Sequence, residues 1–202
     1  MNKITKPETF IFIGRSGCGK GTQAELLKKY IEENDTSGRK IFYMEIGERF
    51  REFIKGNSFA SGLSEEINKK GELQPEFLAV WIWANEFVNG LKGNEHLIID
   101  GTPRKPREAK VFDSAMRFFN RENPNVIFVN VSREWAFDKL LKRGREDDEK
   151  TGEINKRLDW YENDVAPTVE FFKNSSDYKF HDINGEQSIE NVHNEIIKKV
   201  FK

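Results

Sequence analysis

The chain has 202 residues, 37% hydrophobic and 33% charged, with 17 Phe and a mean hydropathy of -0.72; such a length suits one compact α/β domain that buries roughly 70% of its unfolded surface. The 33 Lys and Arg against 34 Asp and Glu leave a net charge of -1, so no global basic field recruits nucleic acid or an anionic membrane. The single cysteine, Cys18, excludes a disulfide framework or a cysteine zinc site within one chain.

Short apolar runs rich in Ile, Val and Phe alternate with longer segments of helical period, the signature of βα units around a parallel sheet. The first run, TFIFIG (9–14), leads into GRSGCGKGT and then the helical pattern QAELLKKYIEE. Strand, glycine loop and helix in that order are the context a phosphate-binding loop requires. Glycines let successive N–H groups point inward, and the helix N-terminus adds partial positive charge. In such a loop Lys20 bridges the outer phosphates and the Thr22 hydroxyl is offered to Mg²⁺, with Gly14, Gly17, Gly19 and Gly21 forming the cradle. Cys18 reads as a small side chain that fits the loop; the alternative is a redox-sensitive thiol.

The next strand is expected at KIFYMEI (40–46). Residues 46–75 then hold two amphipathic helical pieces punctuated by glycine, read as an inserted helical flap. Pro75 stands near the first turn of the following helix, QPEFLAVWIWANEFVNGL, whose apolar circumference predicts burial against the sheet with Trp81 and Trp83 in the core. Further strands are expected at HLIIDG (96–101), NVIFVNVS (125–132) and YKFHDI (178–183). Between the last two lies a polar patch at 144–152, read as a loop. His96, His181 and His193 have no metal-ligand spacing and read as structural. The apolar stretch at the start is too short for a signal peptide, and no run of eighteen apolar residues occurs, so a cytoplasmic protein is expected.

The loop departs from the general pattern in that Gly21 separates the lysine from Thr22. In GKGTQ it resembles the adenylate kinase family of nucleoside monophosphate kinases. DGTPR (100–104) is similar to the family's DGFPR, GREDD (144–148) and KRLDWYENDVAPTVEFF (156–172) to its lid and post-lid helix, and INGEQSIENV (183–192) to its C-terminal strand and helix entry. The resemblance implies a P-loop NTPase fold, a three-layer α/β/α sandwich on a five-stranded parallel sheet. Its parts would be a core of residues 1–45, 76–143 and 153–202, a nucleoside monophosphate flap at 46–75 and a short lid at 144–152. It further implies a monomer that moves the γ-phosphoryl of MgATP to a nucleoside monophosphate.

On the donor side the resemblance implicates Gly17, Cys18, Gly19, Lys20, Gly21, Thr22, Lys139, Arg143 and Gln187. On the acceptor side it implicates Ile46, Arg51, Glu72, Leu73, Gln74, Gly101, Arg104, Glu108, Arg145 and Arg157. Lys20, Arg104, Arg143, Arg145 and Arg157 would be catalytic, and Asp100 would hold Mg²⁺ through water together with Thr22. Asp147 and Asp148 match the acidic pair beside the lid arginines. Such a transfer calls for fixed cations more than for a strong base, since the attacking phosphate is already largely ionised at neutral pH. Only GREDDEKTGEINK separates Arg143 from Arg157, so the cysteine-bearing insertion of many bacterial relatives is missing and no zinc is expected.

The chain departs from the family pattern where Lys139 replaces an arginine, Ile46 and Glu48 flank Gly47 in place of Thr and Asp, Glu108 replaces a base-reading glutamine and Gln74 replaces a valine. A carboxylate only accepts hydrogen bonds, which suits guanine, whereas Gln74 can supply a donor to adenine. AMP ranks first as acceptor, GMP second and pyrimidine monophosphates behind. Two other readings differ in kind: a small-metabolite kinase, with no use for Arg51, and a nucleotide-binding module without turnover.

Overall fold

The computed structural model describes residues 3–143 and 151–201. Five strands, β1 (Thr9–Ile13), β2 (Ile41–Glu45), β3 (His96–Asp100), β4 (Asn125–Asn130) and β5 (Lys179–Asn184), form one sheet in the order β2-β3-β1-β4-β5. Every pairing is parallel. The expected strands are therefore present, each one or two residues shorter or shifted at an end.

Parallel strands need crossovers, and helices supply them on both faces. Alternation along β1 shows the consequence. Ile11 and Ile13 pack with Met44, Leu97, Ile99, Val126 and Phe128 in one core, beneath α4 (Glu76–Gly90), α5 (Pro106–Phe118) and α8 (Ala166–Lys173). Phe10 and Phe12 pack with Ile98, Ile127 and Val129 in the other, beneath α1 (Lys20–Asn34), α6 (Arg133–Arg143), α7 (Thr151–Trp160) and α9 (Ile189–Val200). A sheet buried on both faces accounts for strands that read as unbroken apolar runs.

The segment at 46–75 contains α2 (Ile46–Phe53) and α3 (Phe59–Lys69), the latter capped by the Ser58 hydroxyl, which accepts from the Ser61 N–H at 3.0 Å. A π-helical turn, Tyr161–Val165, joins α7 to α8. Thr151 and Gly152, expected in a loop, already belong to α7.

One core expectation is corrected. Trp83 is buried, but Trp81 is 53% exposed and meets Phe53 edge-on at 5.8 Å. Of α4, Leu78, Ile82, Trp83 and Phe87 are buried in the core and Val80 and Ala84 pack against it part-buried, which leaves Phe77, Trp81 and Val88 on the outer side. The apolar circumference of α4 exceeds what one sheet can cover. No helix among the described residues is long and apolar enough to cross a membrane.

Candidate active site

The carboxyl ends of β1 and β3 lie side by side, with Phe12 opposite Asp100, and the loop after β1 opens onto α1. Ligands of open α/β sheets bind at this edge, where loops rather than helices cover the strand ends. The loop holds its shape through glycine. Gly17 has φ +85°, and a Cβ there would sit 2.8 Å from the Ala136 carbonyl oxygen. Gly21, the departure noted in the sequence, faces Asp100: a Cβ there would lie 3.4 Å from Oδ2, an ordinary contact, so the strand-end carboxylate stands directly against the first turn of α1.

Lys20 folds back over the loop. Its Nζ donates to the Gly14 carbonyl at 2.9 Å and the Arg15 carbonyl at 2.8 Å, and lies 3.5 Å from Cys18 Sγ. Cys18 itself is buried beneath the loop, the place of a small packing residue.

In front of this loop lies a cleft of about 330 Å³. Lys20, Thr22, Arg51, Asp100, Gly101, Arg104, Lys139, Arg143 and Arg157 all line it, together with Gly17, Gly19 and Gly21. Residues from five separate stretches of chain thus converge on one space. Arg104 is held at both its side chain and its main chain. Its Nε donates to the Gly101 carbonyl at 2.8 Å, and its own carbonyl accepts from the Thr168 hydroxyl at 3.0 Å. Burial pushes its pKa below the ordinary arginine value and nearby Arg157 adds to this, while Glu108, Asp100 and Glu45 oppose it. A guanidinium so placed keeps its charge and is pre-set for an anion.

Arg51 is held differently. Its Nη2 pairs with Glu45 Oε1 at 2.9 Å. Sequence reasoning missed Glu45, although a signal existed: it ends β2 in register with Asp100, at the same carboxyl edge of the sheet. Asp100 is a buried carboxylate and Thr22 carries a hydroxyl on the same cleft. Two hard oxygen donors beside a phosphate site suit Mg²⁺, which takes few protein ligands and completes its shell with phosphate oxygens and water.

A narrower groove adjoins the cleft beneath α2, lined by Ile46, Phe50, Leu73, Gln74, Thr102, Lys105 and Glu108, and it shares Gly101 and Arg104 with the cleft. Glu108, the third residue of α5, is buried and already occupied. Oε1 accepts from the Thr102 hydroxyl, and Oε2 accepts from the N–H of Arg104 at 2.7 Å and of Lys105 at 3.4 Å. Gln74 Nε2 donates to the Ser64 carbonyl and its Oε1 accepts from the Ser64 hydroxyl, each at 2.9 Å. Both candidate base readers are therefore anchored by side chains or loops that the sequence pattern did not connect to them.

Two other expected site residues, Glu72 and Gln187, line neither space. Glu72 is exposed. Gln187, after β5, donates to the Asn184 carbonyl and to Glu195 Oε2. Lys139 Nζ sits 4.8 Å over the Trp135 ring, so the cation that replaces arginine rests on an aromatic face. Arg145, Asp147 and Asp148, and with them most of the 144–152 lid, fall outside the described residues. The histidines engage the framework: His96 accepts from the Glu8 N–H and faces Asp35 at 3.2 Å, His181 meets Asn125 Oδ1 at 3.0 Å, and His193 lies edge-on to Tyr30.

The family model described as adenylate kinase matches residues 12–177. An adenylate kinase of Prochlorococcus marinus is 30% identical over 94% of this chain and 97% of its own length. The adenylate kinase of Flavobacterium psychrophilum is 29% identical over 90% and 92%, and adenylate kinase 1 of a Nostoc species 30% identical over 92% and 95%.

Proposed function

The chain belongs to the adenylate kinase family of nucleoside monophosphate phosphotransferases that use ATP, and within that family we propose AMP as its acceptor, ATP + AMP ⇌ 2 ADP. The observation that carries the reading is the convergence of Lys20, Arg51, Arg104, Arg143 and Arg157 on one cleft before the phosphate loop. Two polyanions can share such a space only if fixed cations replace their water and counterions, and five basic side chains from separate elements meet that need.

In this reading an oxygen of the acceptor phosphate attacks the γ-phosphorus of ATP, the bond from that phosphorus to the bridging oxygen breaks, and ADP leaves with the electron pair. Lys20 moves from the Gly14 and Arg15 carbonyls onto the phosphates. Arg51 exchanges Glu45 for the acceptor phosphate, and Arg104 grips the same group from the other side. Arg143, Arg157 and, by resemblance, Arg145 gather over the transferring group. Asp100, through water, and Thr22 would hold Mg²⁺, which neutralises charge on the donor phosphates.

The relatives named adenylate kinase support AMP, and so does the groove chemistry. With three protein donors already on Glu108, the carboxylate has room to accept one more, and the 6-amino group of adenine supplies it. Gln74 keeps a second amide N–H for the neighbouring ring nitrogen. Guanine also offers donors to a carboxylate, which makes GMP the competing acceptor. The test is phosphoryl transfer from MgATP to AMP, GMP, CMP, UMP and dTMP in parallel. The highest kcat/KM is expected for AMP; a higher value for any other acceptor overturns the AMP assignment.

A further inference from the structure

The phosphate-binding role uses the main chain of residue 15 and gives its long side chain nothing to do. Yet the Arg15 side chain is only 15% exposed and is engaged on three sides. Its Nε donates to the Val131 carbonyl at 3.0 Å, just past the end of β4. Its Nη1 pairs with Glu162 Oε1 at 2.7 Å. Its flat face lies on the Tyr161 ring, with the guanidinium carbon 3.7 Å from the ring centre. Stacking, one hydrogen bond and an ion pair together hold a guanidinium in one orientation far better than a lone surface pair does.

The partners are informative. Tyr161 and Glu162 open the π-helical turn Tyr161–Val165, and π turns are rare features that collect at functional sites. Tyr161 follows Arg157 by four residues, so the two project from one flank of the helical run. Arg15, Lys20, Arg104, Arg157 and Tyr161 line a common cavity of about 80 Å³. At the other end of the same residue, the Arg15 carbonyl is a resting partner of Lys20. Arg15 thus touches the Lys20 environment with its main chain and the Arg157 helix with its side chain.

We propose that Arg15 is a positioning residue that clamps the phosphate loop to the π turn, so that Lys20 and Arg157 address the transferring phosphoryl group from one fixed frame. Its orientation argues against a reserve phosphate ligand, since the face is stacked on Tyr161, Nε is bonded to the Val131 carbonyl and the charge is paired with Glu162. The clamp rests on the phosphotransfer reading for its consequence in turnover, though not for its existence.

The test is a double-mutant cycle with kcat and KM read separately. Arg15→Met is expected to lower kcat about tenfold, as a misplaced cation does, with KM for ATP changed less than about threefold. In the Arg157→Met background the same change should cost less than about twofold, because the clamp acts through Arg157. Losses that simply multiply, or a raised KM with kcat intact, overturn the proposal. Glu162→Gln loosens the clamp from a half-exposed position that spares folding; it should lower kcat only while Arg15 is present, and an equal loss in the Arg15→Met background counts against the clamp. Amide hydrogen exchange gives a readout that needs no turnover. Arg15→Met should speed exchange in residues 161–165 and Glu162→Gln in residues 14–18, and unchanged exchange in both segments rejects the clamp. Failure of the unaltered chain to phosphorylate any monophosphate would instead overturn the proposed function.

Discussion

On the phosphate-loop side of the cleft Lys20 rests on two main-chain carbonyls, whereas on the flap side Arg51 rests on the carboxylate of Glu45. The contrast extends along both walls. The loop's shape follows from backbone conformation and from glycines that admit close neighbours, as Gly17 admits the Ala136 carbonyl. The flap side adds side-chain partners to main-chain ones: Gln74 holds the Ser64 hydroxyl and carbonyl, and Glu108 holds the Thr102 hydroxyl and the N–H groups of Arg104 and Lys105. A neutral carbonyl yields a cation to phosphate readily, while a carboxylate competes for it. In the proposed reading both cations change partners as nucleotide binds, Lys20 leaving neutral carbonyls and Arg51 leaving a carboxylate, so the costlier exchange falls on the flap side.

The largest expected effect lies on the phosphate-loop side. Lys20→Met should lower kcat by about 100- to 1,000-fold with the thermal midpoint little changed, since only charge stabilisation is lost. Near-normal turnover would show that the loop is not the donor site. Arg104→Met should cost about 100-fold in kcat/KM for the acceptor, and a loss confined to KM for ATP would place Arg104 on the wrong wall. Glu108→Gln should raise the AMP to GMP ratio of kcat/KM about tenfold by giving the groove a donor. An unchanged ratio would mean that residue 108 only caps α5. The smallest effect sharpens the contrast itself: Glu45→Gln removes the competitor of Arg51, a pair partly open to water, and should lower KM for the acceptor about threefold. A rise in KM would mean that Glu45 supports the acceptor rather than restraining its arginine.

The same contrast governs what could be read from the chain alone. The central strands β1, β3 and β4 were legible because both their faces are buried, which writes them as apolar runs between helical periods. The phosphate loop was legible because its geometry is main-chain geometry, and glycine spacing records that directly. Glu45, Thr102 and Ser64 were not, because each earns its place through a contact that only folding creates. Arg15 escaped notice for the same reason: Val131 and Tyr161 are far away in sequence and adjacent in space. Trp81 misled through periodicity, since an apolar helix surface predicts burial only where a neighbour exists to cover it.

The central claim is that one cleft receives both nucleotides, and a molecule carrying two adenosines joined by five phosphates probes it directly. Calorimetry should give one molecule bound per chain, displaced by either ATP or AMP, with affinity reduced by Lys20→Met and by Arg51→Met alike. Displacement by ATP alone, with affinity indifferent to Arg51→Met, would contradict a shared site.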